Sequence, residues 1–191
     1  MTARFQEGSF NAVVLAGGTA ARMDGVDKAS VEHAGRTLLA WALDAVIDAG
    51  EVVVVGEPVP TERPVTFTRE DPRHGGPVAA LMTGRDALLH ERPWLVVVAC
   101  DMPHLTPLTV RRLREAAAGH DGAVLVGPDG RRQLAFVVSL SGLDAVRPDH
   151  EAQHGAALQP LLARLDLVDV TSVGLEHQDV DTWTDLRDLS P

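Results

Sequence analysis

The chain has 191 residues, 45% of them hydrophobic and 23% charged, which is the composition of a globular protein with a sizeable core. Its formal net charge of −10 argues against a general nucleic-acid binder but leaves room for a local basic pocket that binds phosphate. The absence of any membrane-length apolar run or signal-peptide core, together with a single cysteine, predicts a cytoplasmic protein without a membrane partner.

Seven short apolar segments predict β-strands. Two of them, Val52–Val55 and Leu95–Ala99, are apolar throughout, as expected for strands that helices cover on both faces. The predicted strands, in chain order, are Ala12–Ala16, Val52–Val55, Val65–Thr68, Leu95–Ala99, Ala123–Val126, Leu134–Val138 and Leu167–Val170.

Three helices are predicted between these strands. Apolar residues recur at helical spacing from Leu39 to Ile47, and Gly50 marks the stop of that helix. The second helix is predicted to run from Pro77 towards His90, and the third to begin after Thr106, which is a suitable N-cap.

The alternation of strands and helices predicts an α/β fold, a three-layer, doubly wound and mostly parallel sheet. Asp129-Gly130, between two apolar segments, predicts a hairpin and therefore an antiparallel insertion near residues 123–138. We find no linker or repeat, so residues 1–191 are expected to form a single domain. Ligands of such sheets bind beyond the carboxyl ends of the strands. The candidate site therefore lies in the loops after Ala16, Val55, Thr68 and Ala99.

The first strand ends at a glycine pair and opens into a loop with two cations. From Leu15 to Lys28 the chain reads LAGGTAARMDGVDK. Glycines allow backbone N–H groups to approach a phosphate closely, and Arg22 and Lys28 can neutralise its charge. The loop lacks both the Lys-Ser/Thr of a P-loop and the spacing of the G-x-G-x-x-G fingerprint. It predicts a nucleoside triphosphate site, with an ordinary tight turn and solvated charges as the alternative.

This string resembles the LAGG-x-x-x-RM-x-G-x-DK signature of the molybdenum cofactor guanylyltransferases, within the sugar-nucleotidyltransferase-like group. Nine positions match, namely Leu15, Ala16, Gly17, Gly18, Arg22, Met23, Gly25, Asp27 and Lys28. The resemblance implies a Rossmann-like nucleotidyltransferase fold and nucleotide binding by the backbone from Leu15 to Gly18. It also implies that Arg22 and Lys28 are catalytic residues that clamp the triphosphate, with Lys28 among the nucleotide-binding residues.

A carboxylate follows the strand that ends at Cys100. Asp101 stands in Cys-Asp-Met-Pro-His-Leu, and a carboxylate at the end of a strand is placed either to bind Mg²⁺ or merely to form a turn. Its Asp-x-Pro context resembles the metal motif of the guanylyltransferases. The resemblance implies that Asp101 is a catalytic, nucleotide-binding and metal-binding residue.

A second acidic motif lies near the C-terminus. Asp179-Val180-Asp181-Thr182 stands where the family usually has Asn-x-Asn-Thr-Pro, which implies that Asp181 is the second Mg²⁺ ligand. We expect Asp179 and Asp181 to point to opposite sides of the extended segment, so that only Asp181 faces the metal. The alternative is that Asp181 or Thr182 simply caps the short acidic helix that follows.

Three further positions bear on the nucleotide. Asp71 matches a family aspartate that helps hold guanosine, and a carboxylate can accept hydrogen bonds from the N1–H and 2-amino groups of guanine; a turn former is the alternative. Gly75-Gly76-Pro77 resembles the start of the family's G-P-L-A-G segment, whose last glycine is Ala80 here. Gly56 stands where the family often has an asparagine, which leaves the choice between guanine and cytosine open.

Other candidate residues are expected to play no chemical role. Arg131 and Arg132 lie where the family presents its second substrate, and they either bind a pterin phosphate or, as we favour, stay solvated on a hairpin. Cys100 is expected to be a packed thiol. His150 and His154 are four residues apart but lie between Pro148 and Gly155, so a zinc site is not expected.

The resemblance implies that GMP is transferred from GTP to the phosphate of molybdenum-loaded molybdopterin, with Mg²⁺ as cofactor and pyrophosphate as the second product. It further implies a molybdopterin-type acceptor and proteins that deliver it. Two alternatives stay open. One is a cytidylyl- or guanylyltransferase for another phosphorylated acceptor, and the other is a nucleotide-binding domain without catalytic activity.

Overall fold

The computed structural model describes residues 9–17 and 27–188. The strands are β1 (Phe10–Leu15), β2 (Glu32–His33), β3 (Arg36–Thr37), β4 (Val52–Val55), β5 (Thr66–Thr68), β6 (Trp94–Ala99), β7 (Gly122–Val126), β8 (Arg132–Ser139) and β9 (Leu167–Thr171). The helices are α1 (Leu38–Ala45), α2 (Pro77–Asp86), α3 (Pro107–Ala116), α4 (Leu140–Ala145), α5 (His150–Gln153), α6 (Leu158–Leu162) and α7 (Trp183–Asp188), and Lys28–Ser30 form a 3₁₀ helix.

The main sheet has seven strands in the order β5-β4-β1-β6-β8-β7-β9. In the described residues β8 alone runs antiparallel to its neighbours β6 and β7, and the other pairs of this sheet are parallel. The predicted doubly wound, mostly parallel sheet is therefore confirmed, as is the antiparallel insertion. The turn from β7 to β8 closes at Gly130, whose φ of 78° lies in the left-handed region.

Two apolar layers enclose the sheet because neighbouring strand residues face opposite sides. In β1, Ala12 and Val14 join the layer that contains Leu39 of α1 and Leu113 of α3. Val13 packs in the opposite layer, with residues of α2, α4 and α6. All six residues of β1 are buried. The uninterrupted apolar runs in the sequence thus correspond to strands that are covered on both faces.

The helix α2 lies unusually close to the sheet at Gly84. A Cβ atom at this position would approach Cγ1 of Val13 to 2.6 Å and Cγ2 of Val55 to 2.9 Å. Ala80 stands where the family that the chain resembles has a glycine, but the glycine that permits close helix packing in this chain is Gly84.

Two predicted helices end earlier than expected. Helix α1 ends at Ala45, so Ile47 lies beyond it and is 50% exposed. Helix α2 ends at Asp86 because the backbone N–H groups of Leu89 and His90 turn to the carboxylate of Glu51, at 2.8 and 3.0 Å. In the described part of the chain, no helix is both long and apolar enough to cross a membrane.

The hairpin β2–β3 was not predicted. Its turn residues Ala34 and Gly35 have φ values of 50° and 77°, so both lie in the left-handed region that a two-residue hairpin turn requires. Asn-Gly or Gly-Gly would have signalled such a turn, whereas alanine rarely adopts a positive φ.

Candidate active site

The carboxyl ends of β4, β1 and β6 lie side by side at one edge of the sheet. The backbone N–H of Ala16 donates to the carbonyl oxygen of Val55 at 2.9 Å, and that of Cys100 donates to Leu15 at 3.0 Å. These bonds engage the carbonyl of Leu15 and the N–H of Ala16 within the sheet, whereas Gly17 is exposed. Of the predicted nucleotide-binding backbone, Gly17 is therefore better placed than Leu15 to meet a ligand. Gly18 and Arg22 lie outside the described residues.

Lys28 begins the 3₁₀ helix and is held by its neighbours in sequence. Asp27 caps this helix, because its side chain accepts a hydrogen bond from the N–H of Ala29 at 3.2 Å. Ala29 is fully buried against the α1 side of the sheet, and Val31 is also buried. This packing fixes the backbone that follows Lys28 and leaves its flexible side chain directed at the site.

The segment that carries Asp179 and Asp181 is anchored by the buried residue between them. Val180 packs with Val31 and Leu38, and Leu186 covers this group, which we call the Val180 cluster. The backbone N–H of Val180 also donates to the carbonyl oxygen of Asp101 at 2.9 Å. The small apolar cluster thus joins segments that are more than 140 residues apart in the sequence, and the hydrogen bond joins the C-terminal segment to the loop after β6.

The cap interpretation of the acidic motif is confirmed at Thr182, and the metal-ligand interpretation of Asp181 stays a prediction. Thr182 and Asp185 form a reciprocal cap of α7, in which the N–H of Thr182 donates to Asp185 at 2.7 Å and the N–H of Asp185 donates to the Thr182 hydroxyl at 3.1 Å. Because Thr182 supplies the cap, the carboxylate of Asp181 remains directed at Lys28.

The expectation that Asp179 points away from the site is wrong. Residues i and i+2 of an extended segment share a face, and here Val180 occupies the opposite, buried face. Desolvation by the surrounding protein and then the negative charges of Asp181 and Asp101 raise the pKa of Asp179. Although its side chain is still exposed, Asp179 therefore contributes to the negative potential of the site.

Lys28, Asp101 and Asp181 meet at the centre of the candidate site. The Lys28 Nζ donates to Oδ2 of Asp101 at 3.0 Å and to Oδ1 of Asp181 at 2.6 Å. The Lys28 side chain is only 15% exposed, against 21% for Asp101 and 46% for Asp181. Burial alone would lower the pKa of Lys28, but the hydrogen bonds and charges of the two carboxylates outweigh it and raise that pKa. Lys28, the only lysine of the chain, is thus a charged ammonium.

The donor set suits a hard divalent cation. Two carboxylate oxygens lie within 3.0 Å of the Lys28 ammonium nitrogen, so they are close enough to share one cation. The ammonium group here occupies the place that a metal cation would take between them. In residues 9–17 and 27–188 no three His, Cys, Asp or Glu side chains are arranged to hold a metal ion. Mg²⁺ is usually bound by one or two carboxylates together with water and substrate phosphates, and the pair Asp101–Asp181 fits that pattern.

Gly56 is placed directly against the first loop. A Cβ atom at this position would meet the Cβ, carbonyl carbon and carbonyl oxygen of Ala16 at 3.0 to 3.2 Å. The N–H of Gly56 is engaged by the carbonyl oxygen of Thr68 at 2.9 Å. The position where the family often has asparagine is therefore too crowded for that side chain without a shift of the backbone.

Asp71 lies at the same edge of the sheet, beyond β5. A cis peptide bond links it to Pro72, and its backbone N–H donates to the hydroxyl of Thr83 on α2 at 3.0 Å. Its carboxylate is 81% exposed, with Nε2 of His150 at 3.8 Å. Gly76 precedes α2 as a residue with φ of 85° and no side-chain cap. Asp71 is thus accessible. It follows β5, which lies two strands along the sheet from β1, the strand that precedes Lys28.

Glu176, which no sequence motif indicated, holds the chain segment that leads to Asp181. Glu176 is buried and accepts hydrogen bonds from the Thr109 hydroxyl at 2.6 Å, from the Arg112 guanidinium at 2.9 Å and from the N–H of Val173 at 2.7 Å. These contacts attach the C-terminal segment (residues 172–182) to α3. A glutamate in a loop gives no local signal of such packing, so motif analysis could not find it.

Several candidate residues serve structural roles. Arg131 pairs with Asp129 of its own hairpin and is 85% exposed, and Arg132 pairs with Asp169 of β9 at 2.8 Å. Burial raises the pKa of the Cys100 thiol, which agrees with a packed rather than reactive side chain. Arg131 and Cys100 are thus the solvated arginine and core cysteine that were expected, whereas Arg132 is only 27% exposed and is paired with β9 instead of solvated.

A mostly parallel sheet that gathers a lysine and two carboxylates at its carboxyl edge places the protein in the doubly wound α/β class. A family model described as MobA-like NTP transferase domain matches residues 12–179. The chain therefore belongs to the MobA-like NTP transferase family, and it is a nucleotidyltransferase.

Curated relatives agree with this membership. The molybdenum cofactor guanylyltransferase of Shewanella loihica is 30% identical over 133 residues, which are 67% of this chain and 67% of that protein. The probable molybdenum cofactor guanylyltransferase of Methanosarcina acetivorans is 31% identical over 178 residues, 84% of this chain and 77% of that protein.

Solved structures share the fold. Rv0371c from Mycobacterium tuberculosis superposes with a TM-score of 0.76 and 21% identity, covering 96% of this chain and 98% of that one, and a second structure of that protein is a complex with manganese. The 2-C-methyl-D-erythritol 4-phosphate cytidylyltransferase from Thermus thermophilus has a TM-score of 0.70 and 19% identity, covering 92% of this chain and 94% of that one.

Proposed function

We propose that this nucleotidyltransferase transfers GMP from GTP to the phosphate of molybdenum-loaded molybdopterin, which yields the guanine dinucleotide cofactor and pyrophosphate. The observation that carries the proposal is the convergence of Lys28 on Asp101 and Asp181 at the carboxyl edge of the sheet. The names of the curated relatives support the choice of nucleotide and acceptor. We extend the proposal to a cytoplasmic location and to delivery of the acceptor by other proteins.

The cationic side chains hold the triphosphate in this proposal. Lys28 is a mobile point charge on a fixed backbone, so its ammonium can follow the phosphates while the polypeptide stays in place. Arg22, which lies outside the described residues, supplies the second positive charge. Both cations offset the negative charge that develops as pyrophosphate leaves.

Asp101 and Asp181 would hold Mg²⁺, with the remaining coordination positions left to phosphate oxygens and water. When bound, the cation supplies Lewis-acid stabilisation of the phosphate charge. The protein keeps the two carboxylates in register through the Val180 cluster and the hydrogen bond from Val180 to Asp101. The acceptor phosphate is already an anionic nucleophile, so the site needs no strong general base and acts mainly by positioning and charge stabilisation.

The guanine base would lie towards β4 and β5. Asp71 is exposed at that edge and can accept hydrogen bonds from the guanine N1–H and 2-amino groups. Since Gly56 offers no side chain, recognition on the β4 side would rest on backbone groups.

A nucleotide-dependence assay tests the proposal. Purified protein is incubated with Mg²⁺, loaded molybdopterin and GTP, CTP or ATP, and both pyrophosphate and the dinucleotide product are quantified. GTP should support turnover, CTP and ATP should not, and omission of the acceptor should abolish pyrophosphate release. Lys28→Ala and Asp101→Ala should each reduce turnover by about a hundredfold or more while retaining the wild-type circular dichroism spectrum. Wild-type transfer by both variants would refute the assigned roles.

A second candidate is a transferase that uses CTP or another phosphorylated acceptor. Gly56 favours it, because this chain lacks the asparagine that the family often has at this position. Thermal-shift measurements with Mg²⁺ and equal concentrations of GTP or CTP separate the two. A larger shift with CTP would select the second candidate.

A further inference from the structure

The Lys28 ammonium occupies the point on which the two proposed metal ligands converge. Its Nζ lies 3.0 Å from Asp101 Oδ2 and 2.6 Å from Asp181 Oδ1, so both oxygens are engaged by this one group. A divalent cation would need the same two carboxylates, and it would be repelled by an ammonium held this close to them. Lys28 and the metal therefore compete for one position.

We propose that Lys28 holds the metal position in the nucleotide-free protein, and that a triphosphate draws Lys28 away and thereby opens the position to the divalent cation. This inference rests on the proposed function, since it takes Asp101 and Asp181 as the metal ligands. It predicts that metal and nucleotide bind cooperatively and that the nucleotide-free protein binds metal weakly.

The local structure allows the ammonium to move without moving the carboxylates. Ala29 and Val31 fix the backbone near Lys28, whereas the four-carbon side chain can swing. Asp101 and Asp181 stay in register because the N–H of Val180 donates to the Asp101 carbonyl and Val180 is fully buried. The exchange is then a side-chain movement between two anionic partners, the carboxylates and the phosphates.

The set of protein ligands gives the reason why metal binding would require nucleotide in this proposal. The described residues provide no group of three His, Cys, Asp or Glu ligands, so the protein alone offers an incomplete coordination sphere. Phosphate oxygens would complete it, and they would also give Lys28 a new hydrogen-bonding partner.

Metal titration tests the competition directly. Free Mn²⁺ is measured by electron paramagnetic resonance during titration of the nucleotide-free wild type, Lys28→Met and the charge-retaining control Lys28→Arg. Lys28→Met should bind Mn²⁺ about tenfold more tightly than wild type, because the metal no longer has to break two charge-assisted hydrogen bonds. Lys28→Arg should stay as weak as wild type. Melting temperatures confirm that the variants fold, and Mg²⁺ should raise that of Lys28→Met more than that of wild type.

The single lysine gives a second readout that does not depend on catalysis. In protein labelled with ¹⁵N-lysine, the side-chain Nζ signal reports on Lys28 alone. Mg²⁺ without nucleotide should leave this signal almost unchanged, whereas GTP with Mg²⁺ should shift it. A large shift with Mg²⁺ alone, at concentrations that saturate the nucleotide complex, would contradict the placeholder role.

The outcomes separate this inference from the proposed function. Asp101→Asn and Asp181→Asn should lose the Mn²⁺ binding that wild type shows with GTP. If they do so but Lys28→Met binds Mn²⁺ no better than wild type, the metal ligands stand and the placeholder inference is wrong. If both Asn variants keep wild-type Mn²⁺ affinity, the metal assignment itself is wrong, and this inference falls with it.

Discussion

At the scale of single residues, the two carboxylates of the acidic motif differ in what they contact. Asp181 accepts a hydrogen bond from Lys28 at 2.6 Å, whereas Asp179 is exposed and acts through its charge. Asp181→Asn should therefore lower kcat by roughly a hundredfold, and the matched variant Asp179→Asn by less than about fivefold. Steady-state kinetics with GTP at saturating Mg²⁺ measures both, and equal losses would show that the two carboxylates are interchangeable.

Glu176 links stability to pH. Burial alone would raise the pKa of Glu176, but hydrogen bonds from Arg112, Thr109 and the N–H of Val173 lower it below its ordinary value of 4.5. A carboxylate with a depressed folded-state pKa stabilises the fold above its unfolded pKa, and this stability is lost as the pH falls through the folded value.

Glu176→Gln should accordingly reduce the free energy of unfolding by roughly 1–3 kcal/mol at pH 7, and by progressively less as the pH falls below 4.5 and through the folded-state pKa. Urea denaturation at a series of pH values measures this difference. The control Glu115→Gln removes an exposed pair with Arg111 and should change stability by less than about 1 kcal/mol at either pH. A loss for Glu176→Gln that is independent of pH would mean that its charge is not what stabilises the segment.

Residue motifs predicted part of the site and missed the rest for a physical reason. Lys28, Asp101 and Asp181 stand in short motifs whose residue types reflect phosphate and cation chemistry, and the structure brings them together. Glu176 contributes through contacts with α3, more than 60 residues away, which no local pattern encodes. The error at Asp179 was avoidable, since the alternation of an extended segment already places it on the face of Asp181.

At the scale of elements, the C-terminal segment depends on Val180. This side chain is fully buried with Val31 and Leu38, and its N–H binds the Asp101 carbonyl. Val180→Ala should cost about 1–3 kcal/mol of unfolding free energy and should lower kcat, because Asp181 is the next residue. Val173→Ala, in the same segment but 63% exposed, should change stability by less than about 0.5 kcal/mol. Urea denaturation and turnover assays compare the two variants. Unchanged turnover in Val180→Ala would show that the Val180 cluster does not position Asp181 for catalysis.

Helix α2 depends on the missing side chain at Gly84. Alanine there would gain about 1 kcal/mol of helix propensity but would overlap with Val13 and Val55, so we expect a net loss of roughly 1–3 kcal/mol. Val13→Ala in the same chain should relieve part of the overlap, and a double-mutant cycle by thermal unfolding should show favourable coupling. Additive effects would mean that α2 shifts away from the sheet instead.

Elements with strong periodicity or capping residues were predictable, and those set by tertiary contacts were not. The strands β4 and β6 and the starts of α2 and α3 agree with the sequence. The end of α2 depends on Glu51, which lies on a different part of the chain, and the turn of β2–β3 contains an alanine that only its surroundings hold at positive φ. The short helices α4 to α6 have too few residues for a periodic pattern.

At the scale of the whole molecule, an acidic protein holds its single lysine between the two carboxylates of Asp101 and Asp181. The net charge of −10 would repel GTP at long range, so the local cations must overcome it, and salt should weaken this repulsion. The sheet topology brings the site residues together, because the parallel neighbours β4, β1 and β6 place the loops that follow them at one edge of the sheet. That residues 1–191 form one domain stays a prediction.

In the proposed function, Lys28, Asp101 and Asp181 surround the triphosphate of the bound nucleotide. A crystal structure with GTP and Mn²⁺, in which anomalous scattering locates the metal, tests it most directly. We expect Mn²⁺ bound by both carboxylates, with the Lys28 ammonium moved onto the phosphates. Nucleotide bound at another surface, or metal bound away from both aspartates, would contradict it.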